Sequence, residues 1–305
     1  MRPRFVVELV LLAMLWGTAY LFMRAAVPAF GPAPLVGLRV GIATLVLLPV
    51  LALRGGLGDL RKHRRALLVL GSLYTALPFL LLAIASQWIT AGFAAILNAT
   101  SPLFAAIIGH LWLAERIGRL RAAGLVVGFA GVVVLVWGKA SFAAGGAGLA
   151  IVSVLGASTL WGFGANYTRS RLAGANSVAL ATGSLLVASF VMAPFVVASW
   201  PAQPPGARAW AEMLFLGVGS SGIGFLMYFR LLEHVGAVRA MSVTFLNPVF
   251  AMLSGAVYLG ESVTLQMLAG CAVILAGTAL TLGLVGPARP AAGARIAPPA
   301  GPADN

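Results

Sequence analysis

Charge is scarce in this chain, and negative charge scarcer still. Its 305 residues include 20 Lys or Arg, only seven Asp or Glu, and one cysteine. A soluble domain carries about 25% charged residues and about 45–50% apolar ones. Here the fractions are 9% and 61%, which excludes an ordinary soluble globule. The lone Cys271 excludes an intrachain disulfide. Three scattered histidines and no Cys or His cluster leave no metal-ligand motif, so neither metal nor cofactor is expected. The net charge of +13 would point to nucleic acid in a soluble chain. Here the cations lie mostly between apolar runs, so the expected partner is the lipid bilayer and not nucleic acid.

What the chain has instead is long apolar runs, with a mean hydropathy of +1.00. A spanning helix needs about 20 mostly apolar residues. Ten such runs are predicted: 5–23, 33–53, 66–87, 91–113, 120–138, 147–168, 176–199, 210–230, 237–259 and 264–285. They do not alternate every second residue, so they read as helices and not barrel strands. The fold class is an all-α multi-pass membrane protein. Arg2 and Arg4 before an apolar run mimic a signal peptide, but that run is read as the first retained helix. The last stretch, 287–305, is rich in Ala, Pro and Gly and is expected to be a disordered cytoplasmic tail.

The distribution of cations sets the expected orientation. With the N-terminus in the cytoplasm, sixteen Lys and Arg fall inside, including the cluster Arg61, Lys62, Arg64 and Arg65. Arg24, Lys139 and Arg208 fall outside, and Arg39 lies within a span. Both termini are therefore expected inside.

The sequence also repeats. Leu15-Trp16-Gly17 returns as Leu160-Trp161-Gly162, 145 positions on, and Arg24 meets Arg169 in the same register. Pro102-Leu103-Phe104-Ala105 returns as Pro248-Val249-Phe250-Ala251, 146 positions on, each run leading to an acid, Glu115 and Glu261. Gly109, Gly124 and Gly131 meet Gly255, Gly270 and Gly277. Five spans per copy is an odd number, so the copies are expected to cross the membrane in opposite directions, as two inverted five-helix repeats covering 5–138 and 147–285.

A Trp-Gly in the first helix, an Arg in the second, a Pro-x-Phe-Ala in the fourth leading to a Glu, and a Gly-rich fifth, given twice, resemble EamA-type transporters of the drug/metabolite transporter superfamily. The resemblance covers about residues 5–285. It implies ten helices, an alternating-access path and a small-molecule substrate such as an amino acid, another metabolite or a drug, often exported. It thus implies a multi-pass protein of the bacterial inner membrane. One departure stands out: Arg39 has Ser184 as its counterpart.

A solute site is expected near the midplane, where helices are interrupted. Pro102 and Pro248 are the expected hinges, each freeing the carbonyl four residues earlier, at Asn98 and Thr244. Asn98, Thr244 and Asn247 are the leading candidates for a cavity wall. Trp16 and Trp161 are unusually deep for tryptophan and need partners for their indole N–H groups. Tyr20, Tyr74, Asn166 and Tyr228 add hydrogen-bonding groups within spans, Tyr74 and Tyr228 near Pro78 and Gly224, where backbone is expected to loosen. Arg39, about 9 Å deep, is read either as facing a substrate carboxylate or as snorkelling to outer headgroups. Glu8 is the one acid well inside a span, and Glu115 reads as a surface cluster with Arg116 and Arg119. No midplane carboxylate relay is evident, which favours a facilitator over a proton-coupled multidrug efflux carrier. An intramembrane serine protease is a remoter reading. Gly219-Ser220-Ser221-Gly222 supplies a nucleophile string, but His234 lies 13 residues on, about 20 Å along the helix. Small residues on the fifth and tenth spans permit either packing against each other or a homodimer face, so monomer and homodimer both remain open.

Overall fold

The computed structural model describes residues 2–141, 147–236 and 240–284. The expected tail 287–305 and the Gly145-Gly146 connection lie outside the described residues. Among the described residues every regular element is helical. Eight helices are long and apolar enough to cross a membrane: α1 Pro3–Phe30, α2 Pro32–Leu53, α3 Arg64–Ala85, α4 Ala91–Leu113, α5 Arg119–Val136, α6 Gly148–Arg171, α7 Ser177–Ala198 and α8 Ala207–Val235. Two shorter apolar helices follow, α9 Val243–Leu259 and α10 Leu265–Thr281. Large apolar side chains stand exposed on the outer faces, such as Leu53, Val257 and Leu265. Surface of that kind suits hydrocarbon and not water.

Local chemistry explains the helix ends. Gly31, at φ +76°, closes α1 by donating its N–H to the Val27 carbonyl, and Pro32 then opens α2, where no donor is needed. The Thr90 and Thr264 hydroxyls accept from the N–H groups of Phe93 and Met267, and Asn176 does the same for Val178 and Ala179. The ends of α4 and α9 are built alike. Ala114 (φ 54°) and Gly260 (φ 65°) each adopt the left-handed conformation, with their N–H groups on the carbonyls of Gly109 and Gly255. Ala114 is the one non-glycine residue there among the described residues. A Cβ in that region costs about 1–2 kcal/mol. Ala114→Gly is therefore expected to raise stability by about 1 kcal/mol, read as a higher unfolding midpoint in detergent; an unchanged or lower midpoint would show that the strain is relieved elsewhere.

Three helices are interrupted. α3 and α8 contain π-helical runs, Leu70–Ala76 and Phe215–Ile223. α4 breaks at Ala99–Thr100, after which Ser101 and Pro102 start its second segment. Pro248 sits within α9. The sequence located this loosening near Tyr74, but the π-helical winding itself has no residue signature.

Glycines set how closely the helices approach. A Cβ on Gly17 of α1 would stand 2.8 Å from the Asn247 carbonyl of α9, and one on Gly162 of α6 would stand 2.7 Å from the Ala105 nitrogen of α4. Between α5 and α10, a Cβ on Gly124 would meet Thr281 at 2.6 Å and one on Gly131 would meet Ile274 at 2.7 Å. Of the two arrangements open to α5 and α10, the chain adopts packing against each other. Contacts thus recur in matched register: α1 on α9 matches α6 on α4, and α5 on α10 matches itself.

Candidate functional site

The deep tryptophans find their partners in the π-helical runs. Trp16 Nε1 donates to the Ser220 carbonyl at 3.1 Å, and Trp161 Nε1 donates to the Tyr74 carbonyl at 3.0 Å. Ser220 is the counterpart of Tyr74, 146 positions on. A π-helical turn shifts the hydrogen-bond pattern and leaves carbonyls for a side chain to take. Each Trp also lies beside the glycine that follows it, so the indole is held by close helix packing and by its N–H together. Trp16 packs near Phe225 and Tyr228, with ring centres 6.0 and 5.2 Å away, and Trp161 near Phe79 at 6.1 Å.

A polar chain crosses between α1, α4 and α6. Asn98 Nδ2 donates to the Tyr20 hydroxyl at 2.6 Å. Its Oδ1 accepts from Ser158 at 3.2 Å and from Ser101 at 3.3 Å. The Asn98 carbonyl, which Pro102 deprives of its helical donor, accepts from the Ser101 hydroxyl at 2.7 Å. Asn247 differs: its Oδ1 is buried without a hydrogen-bond partner, a costly state for an acceptor. Thr244 donates to the Met241 carbonyl near the start of α9. Asn166 is buried with its amide committed to the carbonyls of Ala105 and Gly162, and it accepts from Arg169.

Arg39 is buried and does not snorkel. Its Nε donates to Ser221 Oγ at 2.9 Å and its Nη2 to Ser220 Oγ at 3.4 Å, with the guanidinium 4.1 Å over the Phe79 ring centre. The serines that the sequence offered as a protease string are thus partners of Arg39. His234 Nδ1 bonds instead to the Arg230 carbonyl at the end of α8. A cavity of about 230 Å³ lies elsewhere, at helix ends lined by Arg54, Asn176, Phe229 and Glu233.

Two ion pairs close the bundle at opposite ends. Arg24 Nε meets Glu261 Oε1 at 2.6 Å, and Arg169 Nη2 meets Glu115 Oε1 at 2.6 Å. Glu261 also accepts from the Ala91 N–H at the start of α4, and Glu115 follows the end of α4. The 23 residues of α4 separate the two pairs by about 34 Å. Glu115 therefore pairs across helices with Arg169, and not in the expected cluster with Arg116 and Arg119. The Arg24–Glu261 pair is the more enclosed, and Arg24 also donates to the carbonyls of Ser86 and Ile89. Burial pushes the Glu261 carboxyl above the ordinary carboxylate range, against the opposite pull of Arg24 and of the Ala91 and Gly92 N–H groups. Glu8 pairs with Arg230, and Glu212 is buried against Arg208 and Tyr258, a role the sequence did not reveal.

These features define the class: a helical multi-pass membrane protein whose interrupted helices carry buried polar groups. Residues 5–137 and 148–283 each match the EamA-like transporter family, and the chain belongs to that family. It is a membrane transporter of the drug/metabolite transporter superfamily. It is 30% identical to the uncharacterized inner membrane transporter YedA of Escherichia coli strain K12, over 92% of this chain and 91% of the relative. An uncharacterized transporter of Archaeoglobus fulgidus is 27% identical over 89% and 96%. The transporter YvbV of Bacillus subtilis, also uncharacterized, is 28% identical over 92% of each. One solved crystal structure superposes with a TM-score of 0.66 at 21% identity, covering 93% of this chain and 98% of the other, and supports the fold.

Proposed function

We propose that the protein carries a small metabolite, an amino acid or related compound, across the bacterial inner membrane by alternating access, with export as its direction. In this reading ten helices form two inverted five-helix repeats, 5–138 and 147–285, with both termini in the cytoplasm. The observation that carries the reading is the pair of ion pairs. Each joins one residue from either copy, each uses the Arg and Glu that the sequence repeats, and the two stand at opposite ends of α4. Opening one end while the other stays closed needs such a matched arrangement. The inner membrane is supported by the description of YedA.

The solute path is proposed between the copies, walled by Asn98, Asn247, Thr244, Tyr20, Tyr74, Tyr228, Trp16, Trp161, Asn166 and Arg39, with Pro102 and Pro248 as hinges. Asn247 has the strongest physical case, because an acceptor buried without a partner gains most from a donor on the solute. A facilitator is preferred to a proton antiporter, since Glu8, Glu115, Glu212 and Glu261 all have arginine partners. The test is saturable flux of labelled amino acids in proteoliposomes. Asn98→Ala and Asn247→Ala, checked for folding by size exclusion, are each expected to lower flux about 10-fold, the effect of losing one solute hydrogen bond and its orientation. Wild-type flux in both folded variants would remove these two residues from the path.

A further inference from the structure

Arg39 is the one fully buried Lys or Arg among the described residues, with 6% of its surface exposed. Among the described residues no carboxylate meets it. Of the seven acids, Glu8, Glu115, Glu212 and Glu261 pair with other arginines. Asp59 lies in the short helix after α2, Glu233 faces the cavity at the helix ends, and Asp304 is outside the described residues. An isolated buried charge costs several kcal/mol unless it is paired. Two neutral hydroxyls and an aromatic face do not supply that pairing. If only a hydrogen-bond donor were needed between α2 and α8, a neutral side chain would serve at lower cost.

The surroundings are also those of an oxyanion site. A guanidinium has five N–H donors, and Arg39 commits two of them, to Ser221 and Ser220. Both serine hydroxyls accept from Arg39, and neither donates to another described group, so two O–H donors stand beside the free N–H groups. The Tyr20 hydroxyl accepts from Asn98 and likewise keeps its own O–H to donate. The second copy lacks this arrangement: Ser184 occupies the counterpart position of Arg39 and donates to the Ala181 carbonyl. The site is therefore single and carries one positive charge, which matches a monoanion.

We propose, resting on the carrier reading above, that the transported solute bears a carboxylate, and that Arg39 with the hydroxyls of Ser220 and Ser221 is the group that binds it. Solutes that lack a carboxylate are then poor substrates. A carboxylate replaces the missing counter-charge and accepts the unused donors in a two-pronged contact.

The test uses wild-type protein in proteoliposomes and matched labelled pairs: leucine and leucinamide, phenylalanine and phenylalaninamide, lactate and lactamide, benzoate and benzamide. At least one acid is expected to move about 10-fold or more faster than its amide, the discrimination expected where a site's buried donors would otherwise go unpaired. Arg39→Gln should abolish that preference. Arg39→Lys, which keeps the charge and loses the fork, should retain part of it. Should Arg39→Gln fail to fold, the wild-type unfolding midpoint replaces it: the transported acid should raise it and the amide should not. Amides or a cationic dye moving as well as acids would overturn the inference and leave the carrier standing, as would an acid preference that survives in folded Arg39→Gln. If no probe moves in any form, the carrier reading falls and this inference falls with it.

Discussion

Flux is expected to stop when either end of the bundle is tied shut. In a Cys271→Ser background, Arg24→Cys with Glu261→Cys at one end, or Arg169→Cys with Glu115→Cys at the other, can be bridged by a short bifunctional thiol reagent. The side chains now at these positions meet at 2.6 Å, so their backbones are close enough for such a bridge. Alternating access requires each end to open in turn, so a bridge at either one should lower flux at least about 100-fold, with recovery on reduction. The uncrosslinked double variants separate loss of the ion pair from loss of motion. At the exposed Arg169–Glu115 end, loss of the pair alone should cost little, about 0–1 kcal/mol. Arg24–Glu261 is more enclosed, and its loss should cost more. Continued flux through protein fully bridged at both ends would refute alternating access.

Gly277→Leu is expected to leave almost no correctly folded protein. A Cβ at Gly277 would run into the backbone N and Cα of Gly128 and stand 2.7 Å from the Gly124 carbonyl. Backbone cannot step aside as a flexible side chain can, so α10 would have to leave α5. Added core volume commonly costs about 1–3 kcal/mol, and more where helix axes must separate. The cost should be high here because helix association in lipid depends on close packing of small residues rather than on a hydrophobic driving force. The measurement is the yield and symmetry of the size-exclusion peak from detergent extracts. Gly41→Leu is the control, since a Cβ there meets nothing within 4 Å. A normal peak from Gly277→Leu would show that the α5–α10 contact is dispensable.

Much of the fold was legible because membrane helices declare themselves by length and hydropathy. Predicted runs 33–53 and 91–113 end within a residue of α2 and α4. α1 runs to Phe30, seven residues past its expected end, because Pro28 does not stop it and Gly31 does. The site was legible residue by residue but not pair by pair. Arg39, Tyr20, Asn98 and the two Trp residues stood out as polar or aromatic groups in apolar runs. Their partners are set by tertiary packing across up to 204 positions, as with Trp16 and Ser220, and no local pattern encodes that. The ion pairs left one usable trace: Arg24 recurs as Arg169 and Glu115 recurs as Glu261. Opposite charges, each repeated at helix ends, already imply one pair per end.

The π-helical runs bear on the history of the chain. A π turn holds about one residue more than an α turn, so such a run is what a one-residue insertion leaves behind when the flanking helix keeps its register. Both copies carry one at the corresponding place, and in both a tryptophan has its N–H on a carbonyl of that run. Two independent insertions, each followed by acquisition of the same indole contact, would be a long coincidence. The matched runs and their matched indole contacts therefore read as one shared feature of the two halves rather than two separate ones.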